Sequence, residues 1–514
     1  MHRIRRILPI LLWLCIGACT VPPDGSIRFG LATRPANLDP RYATDATSVR
    51  INRLLYQRLV DFDIHGRPVP SLASWERLAP RHYRFHLQPE RPPFHDGTPL
   101  TARDVAATYR SILDPATASP HAGMLRMIET IDVLDADTLD FHIDRTDPLF
   151  PGYLVIGILP ARGIATGYPF HERPLGNGPF RFADWPEPGR LQLERLADAQ
   201  RIEFLHIGDP TVRVLKLRRG EIDLLQNDLP AELLGYLEEQ TDIDVIRAPG
   251  SNFAYLGFNL EDPLTGKLAV RRAIAHAIDR GAIIRHLLGG AARPAAALLL
   301  PEHWAGNPAL PQIPYDPAKS RALLRAEGYD SAHPLVLHFK TSTDPVRLRI
   351  ATVIQQQLAD VGIVMKLSSY DWGTFFGDIK AGRFQMYSLM WVGINTPDIF
   401  RYAFHSESLP PEGANRGRLT DVVLDRLIEA AEQGATLEQQ AQRYRQVQAR
   451  LLAQLPCVPL WYEDHVAAIR RGINGYRLAT DGNYDGLVFV TKDRQPRPDV
   501  LASTGAGSQG VGMR

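Results

Sequence analysis

The chain has 514 residues, of which 58 are lysine or arginine and 57 are aspartate or glutamate, and 45% are hydrophobic. This nearly neutral balance argues against the strongly basic surface that nucleic-acid-binding proteins need, so no nucleic acid is expected among the partners. A chain of this length is too long for a single hydrophobic core, so we expect two or three domains; three cysteines do not make a disulfide framework.

The first 18 residues have the pattern of a bacterial export signal. Basic residues stand at positions 3, 5 and 6, an apolar stretch follows over residues 7–16, and small residues precede Cys19. The apolar stretch is too short to span a membrane, whereas small residues before a cysteine are typical of a lipobox, whose cysteine thiol is acylated. We therefore predict a lipoprotein signal peptide over residues 1–18 and lipidation of Cys19. An ordinary signal peptide with a chance cysteine is the alternative.

Regular periodicity begins after a short connecting segment. Residues 19–25 contain paired prolines, which prevent regular structure and favour a tether. Strict alternation of apolar and polar residues over 83–88 and 139–144 predicts two half-buried strands. Helical spacing, with charge on the opposite face, predicts helices over residues 270–278, 350–361 and 444–455.

Strands and helices alternate along most of the chain, with connections rich in proline and glycine and with no internal repeat. This order predicts an α/β or mixed architecture of several lobes. Residues 503–514 differ, because glycine, serine and other small residues dominate there. Such a segment has too little apolar surface to build a core, so we expect a disordered tail.

Several motifs, taken in chain order, are typical of one family of binding proteins. Residues 37–40 (NLDP) match a characteristic turn, and residues 94–105 (FHDGTPLTARDV) are the most specific match, with Thr101 placed as the N-cap of a following helix. Residues 176–180 (GNGPF) and 459–461 (PLW) continue the pattern in order. The chain resembles the extracellular solute-binding proteins of family 5, which serve dipeptide, oligopeptide and nickel importers.

The resemblance implies an α/β fold of two lobes, the periplasmic-binding-protein fold of class II and cluster C, with an extra subdomain inserted in the first lobe. Two crossing strands would join the lobes, with crossings near residues 249–252 and 470–473. The bounds expected from the resemblance are residues 26–71, 176–250 and 473–502 for lobe I, 72–175 for the inserted subdomain and 251–472 for lobe II.

The resemblance also implies the substrate-binding component of an ABC importer, which captures a peptide or peptide-like solute between its lobes and delivers it to permease subunits in the inner membrane. A monomer without a cofactor is expected, anchored in the cell envelope facing the periplasm or on the outer face of the cytoplasmic membrane. The alternatives are the same fold binding a nickel chelate, haem or an oligosaccharide, or acting as a ligand sensor. An enzyme is disfavoured because the exported chain has no nucleophile–base motif, and no cluster of histidine and cysteine at ligand spacing indicates a bare metal site.

Aromatic residues and one missing carboxylate define the expected ligand site. Aligned on the family, Trp372 and Trp391 are expected to form aromatic walls of the cleft. For each tryptophan the alternative is a core or lobe-surface residue. In peptide-binding members an aspartate three residues after the second tryptophan pairs with the ligand amino group, and here that position is Ile394. A buried amine without a partner is costly, so either Asp398 or Asp45 supplies the charge or the ligand is not an ordinary free peptide. For Asp398 the alternative role is a helix N-cap.

Further candidates come from the same alignment. Arg416 or Arg418, in a turn-rich loop, is expected at the cleft mouth, where a guanidinium would bind a carboxylate. For this loop and for His121 the alternatives are ordinary solvent-exposed positions. The remaining candidates are Thr44 and Ala46 beside Asp45, His121 in the inserted subdomain and Asn395 after the second tryptophan.

Overall fold

A computed structural model describes residues 25–493 of the chain. The predicted signal peptide, Cys19, most of the tether and the predicted tail lie outside the described residues. The strands are β1 (Ile27–Leu31), β2 (Val60–Phe62), β3 (Pro68–Pro70), β4 (Ala73–Ala79), β5 (His82–Leu87), β6 (Ile128–Val133), β7 (Thr138–Ile143), β8 (Phe180–Glu187), β9 (Arg190–Arg195), β10 (Arg201–His206), β11 (Leu224–Gln226), β12 (Ile243–Phe258), β13 (Ala292–Pro294), β14 (Leu335–Ser342), β15 (Ile363–Tyr370), β16 (Met386–Trp391), β17 (Cys457–Arg470), β18 (Ile473–Asn474) and β19 (Thr491–Lys492).

The helices alternate with these strands. They are α1 (Ala46–Leu55), α2 (Ala102–Leu113), α3 (Ala122–Leu125), α4 (Ala161–Thr166), α5 (Pro210–Arg219), α6 (Ala231–Glu238), α7 (Leu268–Ala277), α8 (Arg280–Leu287), α9 (Pro317–Ala326), α10 (Pro345–Ala359), α11 (Trp372–Lys380), α12 (Ile399–Phe404), α13 (Val422–Glu432) and α14 (Leu437–Gln454). Between residues 25 and 493, no helix combines the length and the apolar character that a membrane crossing requires.

Local patterns in the sequence correspond to observed elements. The alternating segments overlap β5 and β7, and the segments with helical spacing overlap α7, α10 and α14; each runs one or two residues past the end of its element. Thr101 precedes α2, and the Asp104 carboxylate accepts a hydrogen bond of 2.8 Å from the Thr101 backbone N–H, as in a capping box. These predictions are confirmed because each depended only on neighbours in sequence.

Strands from both halves of the protein form one 11-stranded sheet. Its order is β15-β14-β16-β12-β17-β11-β1-β10-β9-β8, with β13 paired to β17. The central strands β12 and β17 are 16 and 14 residues long and pair with each other along most of their length. On one side of them lie the strands of lobe I, and on the other side lie those of lobe II.

The two central strands change register where they pass between the lobes. Pairing runs from Ile243↔Arg470 to Ala248↔His465 and resumes at Asn252↔Glu463, so residues 249–251 form a bulge. A Cβ atom on Gly250 would lie 2.1 Å from the Glu463 carbonyl oxygen, so this close approach requires glycine.

The bulge of β12 lies within residues 249–252, where the resemblance implies the first crossing. The second differs from its prediction at residues 470–473. Residues 465–470 still pair with the lobe I half of β12, and residues 467–469 also pair with β11. The passage along β17 therefore lies near Glu463, because the register of the paired strand places it opposite the bulge.

Each lobe has its own hydrophobic core. In lobe I, Phe29 of β1 packs with Phe204 of β10. In lobe II, Leu337 of β14 is buried together with Ile274 of α7 and Ile354 of α10. Helices thus bury the sheet faces, as the alternation of strands and helices predicts.

The inserted subdomain contains a four-stranded antiparallel sheet in the order β4-β5-β7-β6. This sheet lies within the predicted bounds 72–175, and α2 packs on it. Its core continues into that of lobe II. Across the contact, Arg77 donates a hydrogen bond of 3.1 Å to the Ala435 carbonyl, and Gln440 donates one of 3.5 Å to the Asp147 carboxylate. The subdomain therefore touches lobe II as well as the lobe that carries it.

Candidate ligand-binding cleft

Trp372, a predicted residue of lobe II, forms part of an aromatic surface. Trp372 is the first residue of α11, whose N-cap Asp371 accepts a hydrogen bond from Thr374 N–H. The Trp372 side chain is 58% exposed, and its ring stacks on Phe376 with centroids 5.3 Å apart and an angle of 8°. An exposed tryptophan stacked in this way offers a flat face to a ligand.

Arg416 lies between this helix and Trp391. Its guanidinium carbon is 4.5 Å from the centre of the Trp391 ring and 5.3 Å from that of Phe376, which are cation–π distances. Its Nη1 donates a hydrogen bond of 2.9 Å to Tyr255 Oη. We refer to Trp372, Phe376, Trp391 and Arg416 as the aromatic wall.

No ion pair of Arg416 with a carboxylate occurs among residues 25–493. The guanidinium is half-buried and held in place. Its hydrogen bond to Tyr255 uses one of its N–H donors, so other donors are left for an anion from outside the protein. Arg418 has a different position, because its Nε lies 3.7 Å from the Glu261 carboxylate. Of the two predicted arginines, the structure therefore places Arg416 at the wall.

The loop after Trp391 directs the Asp398 carboxylate away from this wall. Ile394 packs against the core shared by lobe II and the inserted subdomain. The Asn395 carbonyl accepts a hydrogen bond of 3.0 Å from His303 Nε2. Thr396 donates to the Asp398 carboxylate, and burial raises the pKa of Asp398.

Asp398 precedes α12 at the N-cap position, but its side chain makes no capping hydrogen bond. Its negative charge acts instead on Tyr153 and Tyr444, which lie in the inserted subdomain and in α14. Asp398 is thus placed at the contact between the inserted subdomain and lobe II.

The predicted residues of lobe I and of the inserted subdomain form a second group. His121 Nε2 lies 3.1 Å from the Ala43 carbonyl, next to the exposed Thr44 and Ala46. Burial lowers the pKa of His121. The Asp45 carboxylate accepts a hydrogen bond of 2.8 Å from Ser48 N–H and caps α1. Within residues 25–493, no hydrogen bond or ion pair joins this group to the aromatic wall.

Charges from both lobes meet beside the strand crossing, and sequence reasoning missed them. Glu463 accepts hydrogen bonds of 2.6 and 3.3 Å from Arg347 and one of 3.3 Å from Trp461 Nε1. Burial would raise the pKa of Glu463, but the Arg347 guanidinium outweighs it and lowers this pKa. Asp228, two residues after β11, interacts electrostatically with both Glu463 and Arg347, and burial raises the pKa of Asp228. These residues are far apart in sequence, and only the pairing of β11, β12 and β17 brings them together.

The sequence model of the bacterial extracellular solute-binding proteins, family 5 Middle, matches residues 67–408. The chain belongs to this family. The matched region includes the inserted subdomain, α10, α11 and the Trp391 loop, and a member of this family binds a solute outside the cytoplasm.

Relatives align with nearly the whole chain. The dipeptide-binding protein of Pseudomonas aeruginosa PAO1 is 27% identical over 92% of this chain and 97% of its own. Heme-binding protein A of Haemophilus influenzae is 26% identical over 90% and 91%. The crystal structure of the ABC transporter substrate-binding protein CtaP from Listeria monocytogenes superposes with a TM-score of 0.81, covering 91% of this chain and 99% of that one at 22% identity.

These similarities confirm the predicted two-lobe periplasmic-binding-protein fold and the predicted family. The family is one of solute-binding proteins rather than of enzymes. The protein therefore binds a solute between its two lobes.

Proposed function

We propose that this protein is the receptor of an ABC importer for a peptide or peptide-like solute, and that an acidic group of the solute binds Arg416. The observation that carries the proposal is the position of this guanidinium, held between Trp391 and Phe376 with no carboxylate partner among the described residues. A half-buried cation without a counter-ion gains most from a ligand that supplies one. The relative from P. aeruginosa named a dipeptide-binding protein supports the peptide class.

The proposed site combines the aromatic wall of lobe II with the group around Asp45 on lobe I. Ligand contacts from both lobes would stabilise the closed form, which the permease recognises, so binding shifts a population between open and closed forms. The residues proposed to contact the ligand or line its cleft are Thr44, Asp45, Ala46, His121, Trp372, Phe376, Trp391, Asn395, Asp398 and Arg416.

Ile394 favours a second candidate ligand, a non-peptide acid such as haem or a metal chelate. At this position a free amine finds no carboxylate, and the half-buried Asp398 lies near Tyr153 instead. Flat aromatic rings and one arginine suit an acidic, planar ligand as well as a peptide carboxyl end. The relative from H. influenzae named heme-binding protein A belongs to this class.

The proposal extends to the location of the protein. We propose cleavage after residue 18, acylation of Cys19, and a monomer that faces the periplasm or the outer side of the cytoplasmic membrane. Its partners would then be the membrane lipid and the permease subunits. No catalytic activity is proposed, because the residues of the wall form no nucleophile–base pair.

The ligand class is tested by native mass spectrometry of protein purified from its own cell envelope, followed by thermal denaturation of delipidated protein with the identified compound. A short peptide or an acidic peptide-like compound in the spectrum supports the main proposal. If haem or a chelate raises the melting temperature and no peptide pool does, the main proposal is wrong and the second candidate takes its place.

The role of Arg416 is tested by calorimetric titration of Arg416→Gln with the same compound. We expect a loss of affinity of roughly tenfold or more, since a charge-assisted hydrogen bond contributes about 1.5–3 kcal/mol. Arg418→Gln is the matched control, because Arg418 lies two residues away and pairs with Glu261. Equal affinities of the two variants would contradict the proposed contact.

A further inference from the structure

Outside the cleft, two histidines and an aspartate gather on the inserted subdomain. In the four-stranded sheet, His82 of β5 lies directly opposite His142 of β7, and Arg84 lies opposite Asp140. The two imidazole rings stack with centroids 4.2 Å apart and an angle of 27°. His82 Nε2 is 2.9 Å from the Asp140 carboxylate. One ligand atom from each of His82, Asp140 and His142 lies within 4.8 Å of the others.

The strand geometry explains why these residues meet. Residues two apart on a strand face the same side, so Asp140 and His142 lie on one face of β7, and the register adds His82 to the same face. On the other neighbour, β6, Asp132 pairs with Asp140, and its carboxylate is 3.4 Å from His142 Nε2. The cluster thus has two imidazoles and two carboxylates.

A structural ion pair explains only part of this arrangement. Arg84 donates two hydrogen bonds of 2.8 Å to Asp140. That pair needs neither histidine. Two imidazoles side by side are a common pair of ligands for a transition metal.

Charge and distance both suit a cation. Two carboxylates against one guanidinium leave a negative surface around the imidazoles. Ligand atoms that share a tetrahedral zinc ion lie about 3.3 Å apart, because the zinc–nitrogen distance is about 2.0 Å. Small side-chain rotations would bring the three ligand atoms from within 4.8 Å to that spacing, with water in the remaining position.

We propose that His82, Asp140 and His142 bind one divalent transition metal ion, Zn²⁺ or the more tightly held Cu²⁺, on the inserted subdomain. The site is separate from the cleft and independent of the solute. With three protein ligands and solvent access, it exchanges its ion readily, and it gives the receptor a second, inorganic ligand.

The test is calorimetric titration of untagged, delipidated protein with ZnCl₂ at neutral pH, repeated with His142→Gln and with His82→Gln. We expect one ion per chain for the wild type and a loss of affinity of roughly tenfold or more in each variant, because each removes a nitrogen ligand. His86→Gln is the matched control, since His86 is an exposed residue of the same strand whose neighbour is Glu76, at 3.5 Å. Its affinity should equal that of the wild type.

Cu²⁺ gives an independent readout. Electron paramagnetic resonance of the one-to-one copper complex should show two nitrogen ligands in the wild type and one in either histidine variant. Circular dichroism without metal checks that both variants fold. Equal zinc affinity of wild type, His82→Gln and His142→Gln, or the absence of a one-to-one isotherm, overturns the proposal.

Discussion

Asp147 is a buried carboxyl group whose ionisation should make the stability of this protein depend on pH. It is 6% exposed and lies where the inserted subdomain meets lobe II. Leu149 N–H, Tyr153 Oη and Gln440 Nε2 donate hydrogen bonds to it at 2.9, 3.2 and 3.5 Å. Despite these donors, burial raises the pKa of Asp147 from 3.8 to about 6.

The size and sign of the effect follow from this pKa. A tenfold change in a protonation equilibrium is worth about 1.4 kcal/mol. The difference between the pKa values of Asp147 in the folded and unfolded states therefore corresponds to about 3 kcal/mol in favour of the protonated folded state. The contribution is fully present below the pKa of the unfolded chain, 3.8. It is lost as the pH rises, because the unfolded state releases its proton first, and the loss is complete above a pH of about 6.

Asp147→Asn tests this reasoning, because asparagine keeps the shape and cannot ionise. Urea denaturation at several pH values from 4 to 7.5 should show the variant gaining stability relative to wild type as the pH rises, by up to about 3 kcal/mol. Asp144→Asn, which removes an exposed carboxylate of the same loop, is the control. A difference between Asp147→Asn and wild type that stays constant across this range would refute the argument.

Three further changes test the wall, the crossing and the core. Trp391→Ala should weaken solute binding in calorimetry by tenfold or more while urea stability falls by less than about 2 kcal/mol, since the ring is only partly buried; a large stability loss with unchanged affinity would make it a core residue. Glu463→Gln should lower urea stability by about 2 kcal/mol, because Arg347 loses a charged partner; an unchanged midpoint would show that the pair contributes nothing. Leu337→Ala should cost about 2–5 kcal/mol in the same assay, as expected for a fully buried leucine, and a smaller loss would indicate that lobe II collapses around the cavity.

Local periodicity in the sequence predicted individual strands and helices, but it did not predict which of them lie side by side. The alternation of Tyr83 and Phe85 with polar neighbours correctly predicted β5, because a half-buried strand repeats every two residues. The same pattern does not say which strand lies beside it. His82 and His142 are 60 residues apart in sequence, and their stacked rings follow from a register that only the folded sheet defines.

In the candidate cleft, too, single residues were predicted from the sequence but the contacts between them were not. Trp391 and Arg416 were both proposed from their positions, but their contact was not, and Phe376 was missed. A signal for Phe376 existed, since it follows Trp372 by four residues, the spacing at which helix side chains meet. The carboxylates of Asp228 and Glu463 had no such signal, because they are 235 residues apart and approach Arg347 only through the crossing of β12 and β17.

The two long central strands also limit which fragments of this protein can fold on their own. Since β12 and β17 are central strands in both halves of the sheet, a cut at either crossing exposes unpaired backbone in both halves at once. Lobe I is not a contiguous stretch of chain, and lobe II, although contiguous, would lose the lobe I half of both central strands if it were expressed alone. Calorimetry should therefore record one cooperative melting transition, and new termini for a circular permutant belong in surface turns rather than at the junction of the lobes.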